Sequence, residues 1–375
     1  MKIIIYTEFN KNLENIWSDF EKNALMTAFQ CYSWLSHWYD TVGNPIHNIL
    51  PQIVIVKNGE EVMAIFPLGL RVVYGIKMLE WLGGIHADYM APIVGSDWDI
   101  AEEEFKVLWS NIRTKISPHD AVNFERQPNK IESIINPILK LHNAQSSDIS
   151  SNISLNGNWH DYYKNQINKK IRADSRRNMR RLSEIGEVCF NIGDSEAIEK
   201  LIISKMVIQK RQRYTDTGAR DLLSVREHRE FYEKLPSISK TNGFDLHCSS
   251  LTVGDTIIAC HVGIIHRDRF LYLMPSHDAN GWLRYSPGRL LLEYLIEWSF
   301  STNLKYFDFT IGGENYKKIW CNDDEFIYQS LSSNNLKGTV FLLVQKIKLK
   351  IINRPIVLRI IRKIRSSVNK LRLTA

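Results

Sequence analysis

Residues 249–267 read SSLTVGDTIIACHVGIIHR, an extended run from Ser249 to Val253, the pair Gly254-Asp255, and a second run from Thr256 to Arg267. A glycine beside a polar residue tolerates the positive φ angles of a tight hairpin turn, so the stretch predicts two antiparallel strands. Residues 53–71, IVIVKNGEEVMAIFPLGLR, read the same way, with Asn58-Gly59 between Ile53 to Lys57 and Val62 to Arg71. Each stretch spans nineteen residues, with the turn in the same place and an Arg at the end. The repetition hints at tandem duplication, with two unrelated hairpins of equal length as the alternative.

Working outward, residues 13–42 carry a helical pattern, with Trp17, Phe20, Leu25, Trp34 and Trp38 as its large apolar residues. Residues 143–158 are polar and turn-rich, which predicts a linker and a break near 150. Beyond it, helices are expected over 160–185, 195–212 and 226–235. Strands are expected at 246–253, 256–265 and 269–274, then a helix at 287–301, a strand at 304–311 and extended structure near 326–332. An antiparallel meander leading into a strand–helix–strand unit defines the class as α/β or α+β.

The chain has 375 residues, of which 44% are hydrophobic and 24% charged, so a disordered or disulfide-stapled chain is excluded and about two domains are expected. Its five cysteines lie far apart, with no Cys-x-x-Cys and no metal-ligand spacing, so no metal is expected and a reduced compartment is. Residues 1–10 hold only a four-residue apolar run, too short for a secretory signal, which makes the cytoplasm the expected location. The net charge of +7 is unevenly spread: residues 337–375 carry eleven Lys or Arg and no acid, so the rest sums to 7 − 11 = −4.

Four stretches could carry chemistry. Arg284-Tyr285-Ser286-Pro287-Gly288-Arg289 precedes an apolar helical run, with Ser at the N-cap position and Pro at the first helical position. The free N–H groups of such a turn attract anions; Gly288 permits close approach, and Arg284 and Arg289 add charge, so a pyrophosphate fits. Second, alternation along Leu304 to Ile311 puts Tyr306, Asp308 and Thr310 on one face. Gly312-Gly313 then allow a bend that gathers Glu314, Tyr316 and Lys317 at the sheet's mouth, where a carboxylate, a phenol and an amine suit proton transfer. His261, alone among apolar neighbours, reads as a hydrogen-bonded core residue.

Third, the helix through Lys169 to Leu182 aligns Ile171, Met179, Leu182 and Ile185 on one arc and Lys169, Arg172, Arg176, Arg177 and Arg180 on the other. That cationic face either is solvated or binds a substrate's phosphates. Fourth, from Pro355 the tail places Ile356, Val357, Ile360, Ile361, Ile364, Val368 and Leu371 on one side and Arg359, Arg362, Lys363 and Lys370 on the other, an amphipathic basic helix suited to an anionic membrane surface, with docking on the protein's own body or on a second subunit as the alternative. Its uncharged runs are too short to span a bilayer.

At these residues the sequence resembles the CelD/BcsL-like family of GNAT-type acetyltransferases, associated with bacterial cellulose and exopolysaccharide biosynthesis and related to the Fem-type peptidyltransferases. The resemblance rests on FQCYSWLSHWY at 29–39, Phe66-Pro67-Leu68, Trp81-Leu82-Gly83, Asp88-Tyr89-Met90-Ala91-Pro92, the Arg-rich helix, Ser286 to Leu291, and Phe307-Asp308-Phe309 running to Tyr316-Lys317. It implies two tandem GNAT-like domains, each with a mixed, splayed sheet, at 1–145 and 158–336, joined by a linker at 146–157 and followed by the basic amphipathic tail at 337–375. The implied co-substrate is acetyl-CoA or another acyl-CoA, held in the C-terminal domain, with an amine or hydroxyl of a sugar-linked or small-molecule acceptor. Gly288 is the only glycine where the usual pyrophosphate loop has two small residues, so aminoacyl-tRNA, the donor of Fem-type relatives, stays open, as does a non-catalytic, membrane-tethered binding module. The expected roles are donor binding by Arg284, Ser286, Gly288 and Arg289, phosphate or substrate binding by Arg172, Arg176, Arg177 and Arg180, and catalysis by Asp308, Glu314, Tyr316 and Lys317. Asp308 or Glu314 would take the acceptor's proton and Tyr316 would protonate the leaving thiolate.

Overall fold

A computed structural model describes residues 1–141, 144–238 and 243–352. The chain divides into two compact units: Met1–Ser150 with Thr241–Gly243 and Glu325–Ile352, and Ser151–Lys240 with Phe244–Asp324.

The first unit begins with β1 (Lys2–Tyr6), α1 (Lys11–Phe20) and α2 (Tyr32–Trp38). The single helix expected over 13–42 is interrupted because its middle spends its backbone on other partners. Leu25 exchanges both hydrogen bonds with Val94, and the Tyr32 N–H donates to Glu21 Oε2 at 2.9 Å. Next come β2 (Leu50–Asn58), β3 (Glu61–Val73) and β4 (Ile76–Trp81), an antiparallel meander with β1 on its edge. Ile53 to Val56 are fully buried, so the run is continuously apolar rather than alternating. The helix α3 (Glu102–Lys115) then carries the chain to β5 (Ala121–Pro128), parallel to β4.

Residues 145–154, read from sequence as linker, form the strand β6. Its serines and asparagines suggested a loop, but a ladder is built from backbone groups that every non-proline residue supplies. The side chains add to it: Ser147 Oγ donates to the Ile327 carbonyl at 3.2 Å and Ser151 Oγ to Asp324 Oδ1 at 2.6 Å.

The second unit repeats the plan. After α4 (Trp159–Gln166) and α5 (Lys169–Ser183), broken from each other where Asn168 caps the second, come β7 (Val188–Ile192), α6 (Glu196–Thr217) and α7 (Arg226–Glu233). The meander β8 (Asp245–Val253), β9 (Thr256–His266) and β10 (Arg269–His277) follows, with β7 antiparallel to β8. The helix α8 (Pro287–Phe300) then leads to β11 (Tyr306–Ile311), parallel to β10, and β6 lies on its other side. The core joins Leu251, Ile258, Phe270, Phe307 and Phe309 to the buried side of α8, Leu291, Leu295 and Ile296 among them. On α5, Leu182 is buried there with Ile171 and Met179 against it, while Ile185, expected on the same arc, is exposed.

The two hairpins share more than length. Both turns use a glycine at positive φ, Gly59 at 61° and Gly254 at 54°. Both carry a bulge at the same distance from it: the register passes from Val56↔Ala64 to Lys57↔Val62 in one and from Leu251↔Ala259 to Thr252↔Ile257 in the other. Bulges are specific irregularities, so the shared position favours duplication over coincidence.

The chain then returns to the first unit. β12 (Asp323–Ser333) pairs antiparallel with β5, and α9 (Leu336–Ile352) follows. Glu325–Ile352 thus falls with the first unit, and the basic tail begins as a helix anchored there. Asn335 Nδ2 donates to Asp120 Oδ1 at 2.8 Å, and Gly338 packs so closely on the Asp120 carbonyl that no side chain would fit. The amphipathic segment 356–371 lies outside the described residues. Among those described, no helix is long and apolar enough to cross a membrane.

Candidate active site

In the second unit β10 and β11 pair only at Arg269↔Tyr306, Phe270↔Phe307 and Leu271↔Asp308. β10 continues to His277 and β11 to Ile311 without further pairs, so the two strands part. The gap opens into a cavity of about 340 Å³ whose wall includes Tyr272, Ser276 and His277 from β10, Gly288 and Arg289 from α8, and Tyr316.

The start of α8 forms one end of this cavity. Ser286 adopts a left-handed conformation at φ 54°, and its side chain makes no capping bond, so its part in the helix start is played by its carbonyl, which accepts from Arg289 N–H at 3.0 Å and Leu290 N–H at 3.2 Å. Pro287 has no N–H to offer, which leaves Gly288 N–H as the first-turn donor without a bond inside the turn. A side chain on residue 288 would place its Cβ 3.2 Å from His277 Nδ1, so the glycine keeps that end open. Arg289 lies beside it. Its Nε is buried without a hydrogen-bond partner, with Glu293 Oε1 4.0 Å away. Glu293 is already engaged by Ser175 Oγ at 2.6 Å and Tyr163 Oη at 3.0 Å, and burial raises its pKa above the usual carboxylate value.

The sequence-derived candidates separate here. Ser286, Gly288, Arg289 and Tyr316 line the cavity. Arg284 does not; it is exposed, with its guanidinium 4.9 Å from the Tyr285 ring centre. Asp308 is buried and spent on structure, bonded to Arg269 Nη1 at 2.9 Å and to the Thr310 N–H at 2.7 Å. Lys317 is buried too, its Nζ donating to the carbonyls of Thr310 and Ile311 and pairing with Glu314 Oε2 at 3.0 Å, which pins the chain after β11. Glu314 is exposed and outside the lining. Neither carboxylate proposed as a base therefore faces the cavity. Tyr316 does, though 38% of its surface stays exposed, and partial burial, followed by the nearby Glu314 carboxylate, raises its pKa, so the phenol stays protonated at neutral pH.

On α5, Arg176 and Arg180 are exposed, Arg177 pairs with Asp174 at 2.8 Å, and Arg172 has a buried Nε without a hydrogen-bond partner. Arg181, not singled out from sequence, stands 5.3 Å from the Tyr285 ring centre. His261 is a core residue but not a hydrogen-bonded one: neither ring nitrogen has a partner, and the ring stacks on Tyr272 at 4.4 Å and 5°. Burial keeps it neutral. Sequence reading missed His277 and Arg213, which also line the cavity. A signal for His277 existed, since Ser276-His277 ends a strand just before the turn-rich Asp278 to Gly281, where α/β sheets hold their ligands. Among the described residues no cluster of His, Cys, Asp or Glu could hold a metal ion.

Residues 169–318, which hold β10, α8, β11 and Tyr316, match the family model of an acetyltransferase (GNAT) domain. No curated protein matches the chain. Among solved structures, the chain is similar to FemX (TM-score 0.62, 10% identity, 92% of this chain and 100% of that one). It is also similar to a protein of unknown function from Bacteroides thetaiotaomicron (TM-score 0.53, 9% identity, 88% and 99%). A third similar structure is the C-terminal domain of a putative lysylphosphatidylglycerol synthetase from Agrobacterium fabrum (TM-score 0.50, 10% identity, 89% and 95%). At such identities the likeness shows the fold. Residues 169–318 thus match a GNAT-domain model, and the chain has a mixed α/β fold like that of FemX.

Proposed function

We propose that the chain transfers an acyl group, acetyl first, from acyl-CoA to an amine or hydroxyl of a sugar, sugar nucleotide or cell-envelope precursor, in the manner of the CelD/BcsL-like enzymes it resembles. The observation that carries this reading is the parting of β10 and β11 onto the N-terminus of α8. The donor's pyrophosphate meets the Gly288 N–H and the Arg289 guanidinium, and its thioester arm follows the unpaired edge of β10. Cys260 lines the cavity, but burial pushes its thiol up to about 12, which keeps it a thiol and disfavours an acyl-enzyme. Transfer is then direct, within a ternary complex, and holding both reactants in place supplies much of the rate. Tyr316 gives its proton to the departing thiolate. Calorimetry of the full chain with CoA and acetyl-CoA tests the donor. Heat with either supports the reading, whereas none at millimolar ligand overturns it in favour of aminoacyl-tRNA.

We further propose that residues 337–375 seat the protein on an anionic membrane surface. In support, Leu336, Val340, Leu343, Val344 and Ile347 of α9 recur at helical spacing and are each more than half exposed, in a segment that carries no acid. Each basic residue near such a surface adds about 1 kcal/mol before screening. Full-length protein should sediment with anionic vesicles at low salt and less at high salt, and a chain truncated after Asn335 should not. Equal sedimentation of both overturns this.

A further inference from the structure

The last pair between β10 and β11 is Leu271↔Asp308, and Tyr272 is the first residue of β10 past it. Tyr272 lines the cavity and is only 4% exposed. Three rings pack against its own: His261 stacks on it at 4.4 Å and 5°, and Phe307 and Phe309 lie at 5.7 and 5.5 Å. None of them engages its hydroxyl, since both His261 nitrogens are without a partner and a phenylalanine has no polar atom to offer. That hydroxyl bonds to none of the described residues, yet it is not among the fully occluded polar atoms, so it opens into the cavity. The two groups whose charge acts on it, Tyr316 and Arg213, are cavity residues as well. Burial, then Tyr316, against the weaker pull of Arg213, holds the phenol well above its usual pKa, so at neutral pH it is a hydrogen-bond donor.

We propose that Tyr272 is a catalytic residue whose hydroxyl donates a hydrogen bond to the acyl carbonyl oxygen of the donor thioester. This rests on the donor reading above. With the pyrophosphate at the Gly288 N–H, against His277, the arm has the five residues from His277 back to Tyr272 to follow, about 16 Å of strand. An extended pantetheine arm reaches that far, so the thioester arrives where the strands part. The acceptor's nitrogen or oxygen bonds to the carbonyl carbon and gives its proton to water. The carbonyl π pair moves onto the oxygen and returns as the carbon–sulfur bond breaks, and the sulfur takes a proton from Tyr316, which solvent reprotonates. Between these steps the oxygen carries negative charge, and a donor already fixed in a buried wall stabilises it without reorganising. Tyr272 keeps its proton throughout. Of the two phenols it suits the oxygen better, because it is buried and held by stacking, whereas Tyr316 is 38% exposed.

The test uses acetyl-CoA labelled with carbon-13 at the acetyl carbonyl, with CoA binding by the full chain read by calorimetry and the carbonyl stretch of the bound donor read by infrared difference spectroscopy. On the wild type the stretch should lie below its value in free acetyl-CoA, as a hydrogen-bonded carbonyl requires. Tyr272→Phe keeps the ring and its stacking; it should bind CoA as the wild type does and return the band towards the free value. Tyr316→Phe should leave the band where the wild type has it. With hydroxylamine as a small acceptor probe, the wild type should accelerate acetyl transfer over free solution, and Tyr272→Phe should lose most of that acceleration. An unchanged band or rate in Tyr272→Phe, a band that moves in Tyr316→Phe instead, or no acceleration by the wild type overturns the proposal and leaves the donor reading standing. Loss of CoA binding in Tyr272→Phe alone overturns it too, since the hydroxyl would then be a binding group. A wild type that binds no CoA overturns the donor reading and the proposal with it.

Discussion

The two units follow one plan and differ where the parallel strand joins. In the first, β4 stops at Trp81, one residue past its last pair with β5, and the Trp81 ring packs against Phe124 at 4.7 Å. In the second, β10 runs six residues past its last pair and borders a cavity. The helices that follow differ in the same sense. The first turn of α3 carries Glu102, Glu103 and Glu104, which answer the helix dipole with the chain's own carboxylates, whereas α8 opens with Pro287, Gly288 and Arg289 and leaves the dipole for a ligand. One copy is filled and self-neutralised; the other is open and cationic. A duplicated fold can thus keep one copy as scaffold and one as site by changing a strand end and a first helical turn.

The largest effect should come from emptying the filled copy. Trp81→Ala removes a buried ring from the place where the second unit has its cavity and should cost ~3–5 kcal/mol in chemical denaturation, with CoA binding retained. A cost below about 1 kcal/mol would mean that the first copy is as loosely filled there as the second.

Acid should separate the copies next. Counted from the turn glycines, His261 of the second unit stands where the first has Phe66, and His247 where the first has Gln52. Burial lowers the pKa of His247 to about 4 and holds that of His261 well below its usual value. An unfolded histidine titrates near 6.5, so between that pH and 4 the unfolded chain binds more protons, and stability falls as pH drops through this window. His247 alone accounts for about 3 kcal/mol by pH 4. His247→Phe should flatten the decline of the second unit's melting temperature between pH 6.5 and 4. An unchanged profile would place the acid sensitivity elsewhere.

Donor binding should follow the difference in the helix starts. Gly288→Asp puts a carboxylate at the open turn and should weaken CoA by ~100-fold or more, while Glu102→Gly with Glu103→Gly in α3 should neither create a second site nor disturb the first. Two CoA sites in that variant would erase the contrast. The smallest effect is expected from Tyr316→Phe, about tenfold in turnover with CoA affinity unchanged, because a thiolate leaves readily and needs its acid less than most leaving groups do. A change in CoA affinity alone would make Tyr316 a binding residue.

Much of this was legible residue by residue. Turn glycines located both hairpins, because only a residue without a Cβ takes positive φ freely; Pro287 located the start of α8, because its φ suits the first turn and its missing N–H costs nothing there. Where polar composition stood in for conformation, the reading failed: β6 was taken for linker although a backbone ladder does not require apolar side chains. The partners of the candidate carboxylates were not legible either. Asp308 and Glu314 lie at a strand end that suits catalysis, but Arg269, the Thr310 N–H and Lys317 engage them.

The sequence by itself determined the local conformations, the doubled hairpin, the basic helix and the glycine-opened turn at Gly288, since each depends on neighbours in the chain. Only the tertiary structure decided which charges are paired, that β10 and β11 part, and that Tyr272 stands where they do, because burial and ion pairing are set by residues far apart in sequence and a side chain's availability depends on what packs against it.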